Sequence, residues 1–194
     1  HVYRHTAPVK CYPSEKAAIT ALKNGGVEAG DIMVVMAGGP MGTGMEETYQ
    51  LTSALKHLSF GKHVALITDA RFSGVSTGAC FGHVGPEALA GGPIGKLRDG
   101  DVVEIIVDTV NLKGSLNFIG TKDHKLTYEE GAKVLAERET NPAIHEDDDL
   151  PDDTRLWAAL QDVSGGTWKG TVYDVDKIIE TLKAGKEALA KKNK

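Results

Sequence analysis

The sequence predicts an α+β domain that ends in a helical extension. Three observations carry that prediction. Two apolar runs of strand length, Asp31–Met36 and Val64–Thr68, each lead into a glycine-bearing loop. Two Val- and Ile-rich runs, Val102–Val110 and Leu112–Ile119, are separated only by Asn111. Around these lie stretches of helical periodicity, with capping residues at Ser14, Thr127 and Asp174.

Taken in order, His1–Lys10 mixes polar and basic residues and carries no initiation signal and no signal peptide. Ser14 caps a helix over Glu15–Leu22, and Gly25, Gly26 and Gly30 punctuate the turn that follows. Asp31–Met36 is a buried strand. Ala37–Gly44 has too many glycines for a regular element. A helical pattern resumes from Met45, with Leu51, Leu55 and Leu58 on one face and Glu46 and Glu47 in its first turn. Val64–Thr68 is a second buried strand, and Asp69–Gly78 is a polar loop. Gly91–Pro93 and Asp99–Gly100 are turns before the Val- and Ile-rich strands, the second weakened by Lys113 and Gly114. Thr127 and Glu130 have capping-box spacing and start a helix that runs to about Arg138.

Thr140–Asp153 holds two prolines and the acidic run Glu146–Asp149, a solvated linker by composition. Its adjacent carboxylates lack the spacing of a calcium loop. Leu156, Leu160 and Val163 share a face of a helix broken at Gly165–Gly166. Asp174 caps a last helix lined by Val175, Ile178, Ile179 and Leu182, and Lys186–Lys194 brings positive charge to its C-terminal end. The chain thus divides into a domain over 1–139, an acidic linker over 140–153 and a helical extension over 154–194.

Composition excludes several classes. The 194 residues are 41% hydrophobic and 25% charged, with a net charge of −5. That is globular composition, and its mild acidity argues against a nucleic-acid binder. No apolar run reaches the ~20 residues of a membrane span. Cys11 and Cys80 form no CxxC pair, so a reducing, cytoplasmic setting is expected. No histidine pair has zinc-site spacing, and His57 and His63 are expected at the surface.

Two loops at strand ends hold the candidate chemistry. In Ala37–Glu47, glycines 38, 39, 42 and 44 let backbone amides turn toward an anion, and Glu46 or Glu47 can hold a hard cation. The same residues also fit a tight turn with acids matched to a helix dipole. The loop is neither a Walker loop nor G-x-G-x-x-G, because Glu47 stands where the third glycine belongs. In Asp69–Gly82, Arg71 can bind a carboxylate, and Gly74 and Gly78 allow close approach to a ligand. Ser73 is a weak base unless positive charge stabilises its alkoxide. The competing reading is a polar turn in which Asp69 and Ser73 satisfy backbone groups.

These residues also carry a resemblance. Ala65–Ser76 (ALITDARFSGVS) is similar to the signature of the dihydroxy-acid and sugar-acid dehydratases, a family that includes 6-phosphogluconate and aldonic acid dehydratases. Gly38–Glu47 (GGPMGTGMEE) with Thr52–Ala54 resembles the loop that precedes it. Gly82–Ala88 (GHVGPEA), Gly91–Ile94 (GGPI) and Asp99–Asp101 (DGD) follow in the family's order. The tail, through LPDDTRLWAAL and SGGTWKGTVYDVD, resembles a sugar-acid subgroup near the D-xylonate dehydratases.

The resemblance implies a β-barrel-like swivelling β/β/α domain over 1–139, the C-terminal part of a longer enzyme whose N-terminal iron–sulfur domain is absent from this chain. It implies Ser73 as the catalytic base at C2 of a sugar acid. Glu47 becomes a Mg2+ ligand, with Glu46 as the alternative because relatives carry proline there. Arg71, Gly74, Ser76 and Thr77 face the substrate. An iron of the cluster takes the C3 hydroxyl as leaving group, and neither cysteine of this chain binds that cluster. Cys80 reads as a small buried hydrophobe, and His83 as a residue that hydrogen-bonds its turn or, alternatively, faces the substrate. The implied partners are a sugar acid, the N-terminal domain and further copies of the chain, with no nucleic acid or membrane. The rival functions are a non-catalytic module that binds anions or sugar phosphates on Gly38–Gly44, and an interaction domain without chemistry.

Overall fold

The computed structural model describes residues 1–192, so Asn193 and Lys194 of the expected basic end lie outside the described residues. Its longest strand, β1 (Val2–Tyr12), is one that the sequence pattern does not announce. Only Val9 of its residues is buried, so no apolar alternation marks it. Its stability comes from neighbours on both sides. Val2–Pro8 pair antiparallel with β5 (Val102–Asp108), and Val9–Tyr12 pair parallel with β2 (Ile32–Val35). Pro8 sits at the change of partner, where its missing N–H is tolerated. Arg4 and Glu104 form an ion pair of 2.8 Å across the exposed face.

Beyond β2 lie β3 (Ala65–Thr68) and the short β4 (Ala79–Phe81), and β5 pairs with β6 (Lys113–Phe118). The sheet order is β4-β3-β2-β1-β5-β6, parallel from β4 to β1 and antiparallel from β1 to β6. The six strands curl into a half-barrel flanked by helices, an α+β architecture.

All residues of β2 and β3 are buried, because both faces of this part of the sheet are covered. Met33, Val35 and Leu66 pack against Ala18 of α1 (Glu15–Lys23) and Leu51 and Leu55 of α3 (Gln50–Lys56). Ile32, Val34, Ala65 and Ile67 face the other way, toward Val103, Ile105, Phe118 and Leu135. Each large side chain so buried contributes about 1.5–3 kcal/mol. Ser14 caps α1 by accepting from the Ala17 amide at 3.2 Å. The capping box of Thr127 and Glu130 starts α4 (Tyr128–Glu137), which lies on β6.

Three local expectations are corrected. Ala37–Gly44 contains a short helical turn, α2 (Pro40–Thr43), begun by Pro40 and ended by Gly44 at φ +68°. The next helix does not start at Met45, because Met45 follows with φ +67° and turns the chain again. Glu46 and Glu47 therefore precede α3 in non-helical chain. In α5 (Asp152–Ser164) the buried stripe is Ala158, Gln161 and Ser164, while Leu156 is 62% exposed. Gln161 and Ser164 are buried there because they bond the chain that follows the helix: Gln161 Nε2 donates to Thr171 O at 3.5 Å, and Ser164 Oγ accepts from the Asp174 amide at 3.1 Å. Gly165 ends α5 in the left-handed region, as its sequence position predicts.

The acidic segment before α5 is tied down. The Asn141 amide donates to Gly95 O at 2.7 Å, Ile144 is buried in the main core, and the Asp147 amide donates to Gly42 O at 2.8 Å. The last helix, α6 (Val175–Lys192), has Asp174 accepting from the Lys177 amide at 3.1 Å and packs on α5. Its Val175, Ile179 and Leu182 remain exposed. Among the described residues no helix is long and apolar enough to cross a membrane.

Candidate active site

Neighbouring parallel strands release their chains at the same sheet edge, the usual ligand position in such sheets. β2 and β3 are in register from Ile32↔Ala65 to Val35↔Thr68, so the loops Ala37–Glu47 and Asp69–Gly78 emerge side by side. They are stitched together along their length. Asp69, buried, accepts from the Gly38 amide at 2.9 Å and from the Ala88 amide at 2.8 Å. Burial pushes its carboxyl above the usual range, and the N–H donors pull it partly back. Thr48 N donates to Arg71 O at 2.8 Å. Arg71 Nε donates to Met45 O at 2.7 Å, and its Nη1 lies 3.2 Å from Glu47 Oε1.

The sequence-predicted residues fall into two groups. Glu47 is half-buried at the junction of the loops, held by Arg71, while Glu46 is exposed with its amide on Thr43 Oγ1. Ser73 is half-buried, and its Oγ accepts from the Val75 amide at 3.3 Å. Gly74 and Thr77 are exposed, and Ser76 Oγ is buried with no partner among the described residues. A cleft of about 700 Å³ adjoins the first loop, between α1, Glu46, Glu47 and the acidic run Glu146–Asp149. Ser73, Arg71, Gly74, Ser76 and Thr77 do not line it. Glu47 thus joins an acidic cleft to an open serine-bearing surface.

The donor chemistry sets what this chain can hold. The Glu46 and Glu47 oxygens suit a hard cation. Among the described residues no three His, Cys, Asp or Glu side chains converge as a metal site, so the chain offers part of a ligand set. The cysteines do not fit an iron–sulfur cluster. Cys11 lies within β1, its thiol pushed up to about 12 by burial, with Asp99 and Asp101 adding to the shift. Cys80 packs against the α1–α3 side of the core, and burial raises its thiol too. His57 and His63 are exposed, and the His83 amide donates to Ala70 O at 2.8 Å.

One acid escapes the sequence reading. Glu87 lies 1% exposed beneath the glycine loop, and its Oε2 accepts from the Met41 amide at 2.9 Å. A Cβ on Gly39 would strike this carboxyl group, so the loop closes on it. Burial pushes Glu87 up to about 7, the Met41 amide opposes the shift, and Asp69 adds to it. The loop's anion position is thereby filled from within the protein. Its sequence signals are its place in the Gly82–Ala88 motif, where the resemblance implies no role for it, and its setting between Pro86 and the run Ala88–Ala90.

The sequence model described as the dihydroxy-acid/6-phosphogluconate dehydratase C-terminal domain matches residues 1–146. The D-xylonate dehydratase YagF of Escherichia coli K12 is 70% identical over 188 residues, which is 97% of this chain and 29% of that protein. The D-xylonate dehydratase YjhG of the same organism is 61% identical over 184 residues, 94% of this chain and 28% of that protein. Dihydroxy-acid dehydratase 2 of Bradyrhizobium diazoefficiens is 47% identical over 113 residues, 57% of this chain and 20% of that protein. The chain therefore spans under a third of the length of these curated relatives. A match that runs through both motif loops and most of the chain settles the kinship: this chain belongs to the dihydroxy-acid/6-phosphogluconate dehydratase family, in its C-terminal domain.

Proposed function

We propose that this chain is the serine-bearing domain of a sugar-acid dehydratase, and that the substrate is D-xylonate, converted to 2-dehydro-3-deoxy-D-pentonate. The observation that supports it most directly is the joining of the two motif loops, with Arg71 of the serine loop paired to Glu47 of the glycine loop. The substrate class rests on the names of the two relatives that match nearly the whole chain.

The reaction removes a proton from C2 and hydroxide from C3. The C2–H electron pair becomes the C2=C3 bond of an enol, the hydroxide leaves as water after gaining a proton, and the enol tautomerises to the 2-keto acid. Ser73 takes the C2 proton. The Val75 amide already donates to its Oγ, a contact that favours the alkoxide form. Glu47, with Glu46 as the alternative, would hold Mg2+ in part, and the bound ion would supply positive charge against the developing anion. Arg71 keeps the Glu47 carboxylate oriented through its Nη1 and is itself fixed by Met45 O. Exposed Gly74 and Thr77 and half-buried Ser76 form the rest of the substrate-facing loop.

An iron–sulfur cluster does not suit the two cysteines, so no step of this chain passes through one. The cluster belongs to an N-terminal domain of the same enzyme, whose docking would cover the open serine surface. Self-association into oligomers and a cytoplasmic setting complete the reading. The anion-cradle alternative is disfavoured by the glycine loop itself. The amides of Gly38, Met41, Gly42, Thr43, Gly44 and Met45 all donate to groups of the protein.

The test is Ser73→Ala in the full-length enzyme with D-xylonate. Loss of a general base lowers kcat by roughly 10²–10⁴-fold with KM little changed. Turnover near the wild-type rate would remove Ser73 from the base role.

A further inference from the structure

The glycine loop is gripped from two sides by a part of the chain that lies beyond the family match, which ends at residue 146. On one side, the Asp147 amide donates to Gly42 O at 2.8 Å, and the Thr154 methyl of α5 fills the space where a Gly44 side chain would go. On the other side, the turn Gly166–Lys169 reaches the segment that carries Glu87. The Glu87 amide donates to Thr167 Oγ1 at 2.9 Å, and Trp168 Nε1 donates to Ala90 O at 2.7 Å. Glu87 in turn accepts from Met41 in the middle of the loop. The alignments to the two D-xylonate dehydratases cover 188 and 184 residues, so they run through most of this segment.

We propose that Asp147–Lys169 is a positioning clamp for the glycine loop, with Thr167 as its central positioning residue, and that it sets the enzyme's preference for polyhydroxylated sugar acids. The proposal rests on the dehydratase reading above. Its physical basis is leverage. Ala37 and Met45, at either end of the loop, hold left-handed backbone at φ +61° and +67°, which persists only where surroundings enforce it. The loop carries Glu47 at its end, so a small displacement moves a group that faces the reacting centre. Misplacement of about 1 Å at such a centre can lower rate by ~10²-fold. Thr167 touches no reacting atom and acts through Glu87 and Met41.

The experiment uses the full-length enzyme with Thr167→Val, which keeps shape and removes the acceptor, and Thr167→Ser, which restores it. Hydrogen exchange of residues 37–47 and steady-state kinetics on D-xylonate and on a short branched 2,3-dihydroxy acid are read together. In Thr167→Val the loop exchanges about fivefold to tenfold faster, as expected for one lost hydrogen bond. Its kcat/KM for D-xylonate falls by about tenfold, by more than for the branched acid. Thr167→Ser behaves as wild type. Trp168→Phe, at an exposed ring, gives the same pattern more weakly and serves if Thr167→Val fails to fold. Unchanged loop exchange in both variants overturns the clamp. Faster exchange with an unaltered ratio between the two acids overturns its role in specificity. A wild-type enzyme inactive on D-xylonate would overturn the proposed substrate, while the exchange measurement would still decide the clamp.

Discussion

Glu87→Gln separates a buried acid from a buried polar filler. The wild-type carboxyl is pushed from an ordinary 4.5 up to about 7, mainly by burial. Above pH 4.5 the unfolded chain loses this proton, while the folded chain keeps it until about 7. The folded state binds more protons across that window, so the contribution is fully present below 4.5 and is lost as pH rises to 7. The difference corresponds to a ceiling of roughly 3 kcal/mol, which solvent near the loop lowers to about 1–3 kcal/mol. Glutamine does not titrate, keeps an acceptor for the Met41 amide and imitates the protonated acid. The assay is hydrogen exchange of the β2 and β3 amides in the full-length protein. Comparison of variant with wild type at each pH cancels the intrinsic pH dependence of exchange. The protection of Glu87→Gln relative to wild type is expected to rise by about fivefold to hundredfold between pH 5 and pH 8. A ratio that stays constant would mean that Glu87 is ionised throughout, and the internal-carboxyl account of the glycine loop would be wrong.

Two further substitutions test the fold around the site. Gly42→Ala drives a methyl group into the carbonyl of Ala37, which is backbone and cannot move aside. It should lower stability by about 1–3 kcal/mol and abolish activity, and an active variant with an unchanged Tm would refute the loop geometry. Thr127→Ala, far from the loops, removes the side-chain half of the capping box that starts α4, where the Glu130 amide donates to Thr127 Oγ1, and leaves the Thr127 amide to Glu130. It should lower Tm by roughly 2–4 °C, from a cap worth about 1 kcal/mol, and leave kcat and KM unaltered.

How much of this was legible follows from which faces are buried. β2 and β3 read clearly because both their faces are covered, so Ile32–Val35 and Ala65–Thr68 appear as unbroken apolar runs. β1 is hidden because its Tyr3–Thr6 stretch is mostly exposed and polar, and what holds it is pairing to β2 and β5 from distant sequence. β4 is too short and only half-buried. In α5 the pattern of leucines misleads, since Gln161 and Ser164 are buried by hydrogen bonds to Thr171 and Asp174 in the segment that follows the helix.

The candidate site divides along the same line. The candidate side chains are local: Ser73 and Arg71 share one loop, and Glu46 and Glu47 share the other. Their loops meet because β2 and β3 are neighbours, which two strand-length runs with following glycines already suggest. The groups that hold the backbone in place are not local. Asp69 reaches Gly38 and Ala88, Glu87 reaches Met41, and Thr167 reaches Glu87 across 80 positions. Asp69 and Glu87 lie inside the motifs Ala65–Ser76 and Gly82–Ala88, but neither periodicity nor spacing names the distant amides they meet. An acid among apolar neighbours, such as Glu87 beside Ala88, is therefore a strong sign of a backbone anchor. Such an acid remains buried only where a fixed N–H meets it. Here that N–H belongs to the loop that carries Glu47, so the anchor and the candidate metal ligand answer to the same stretch of backbone.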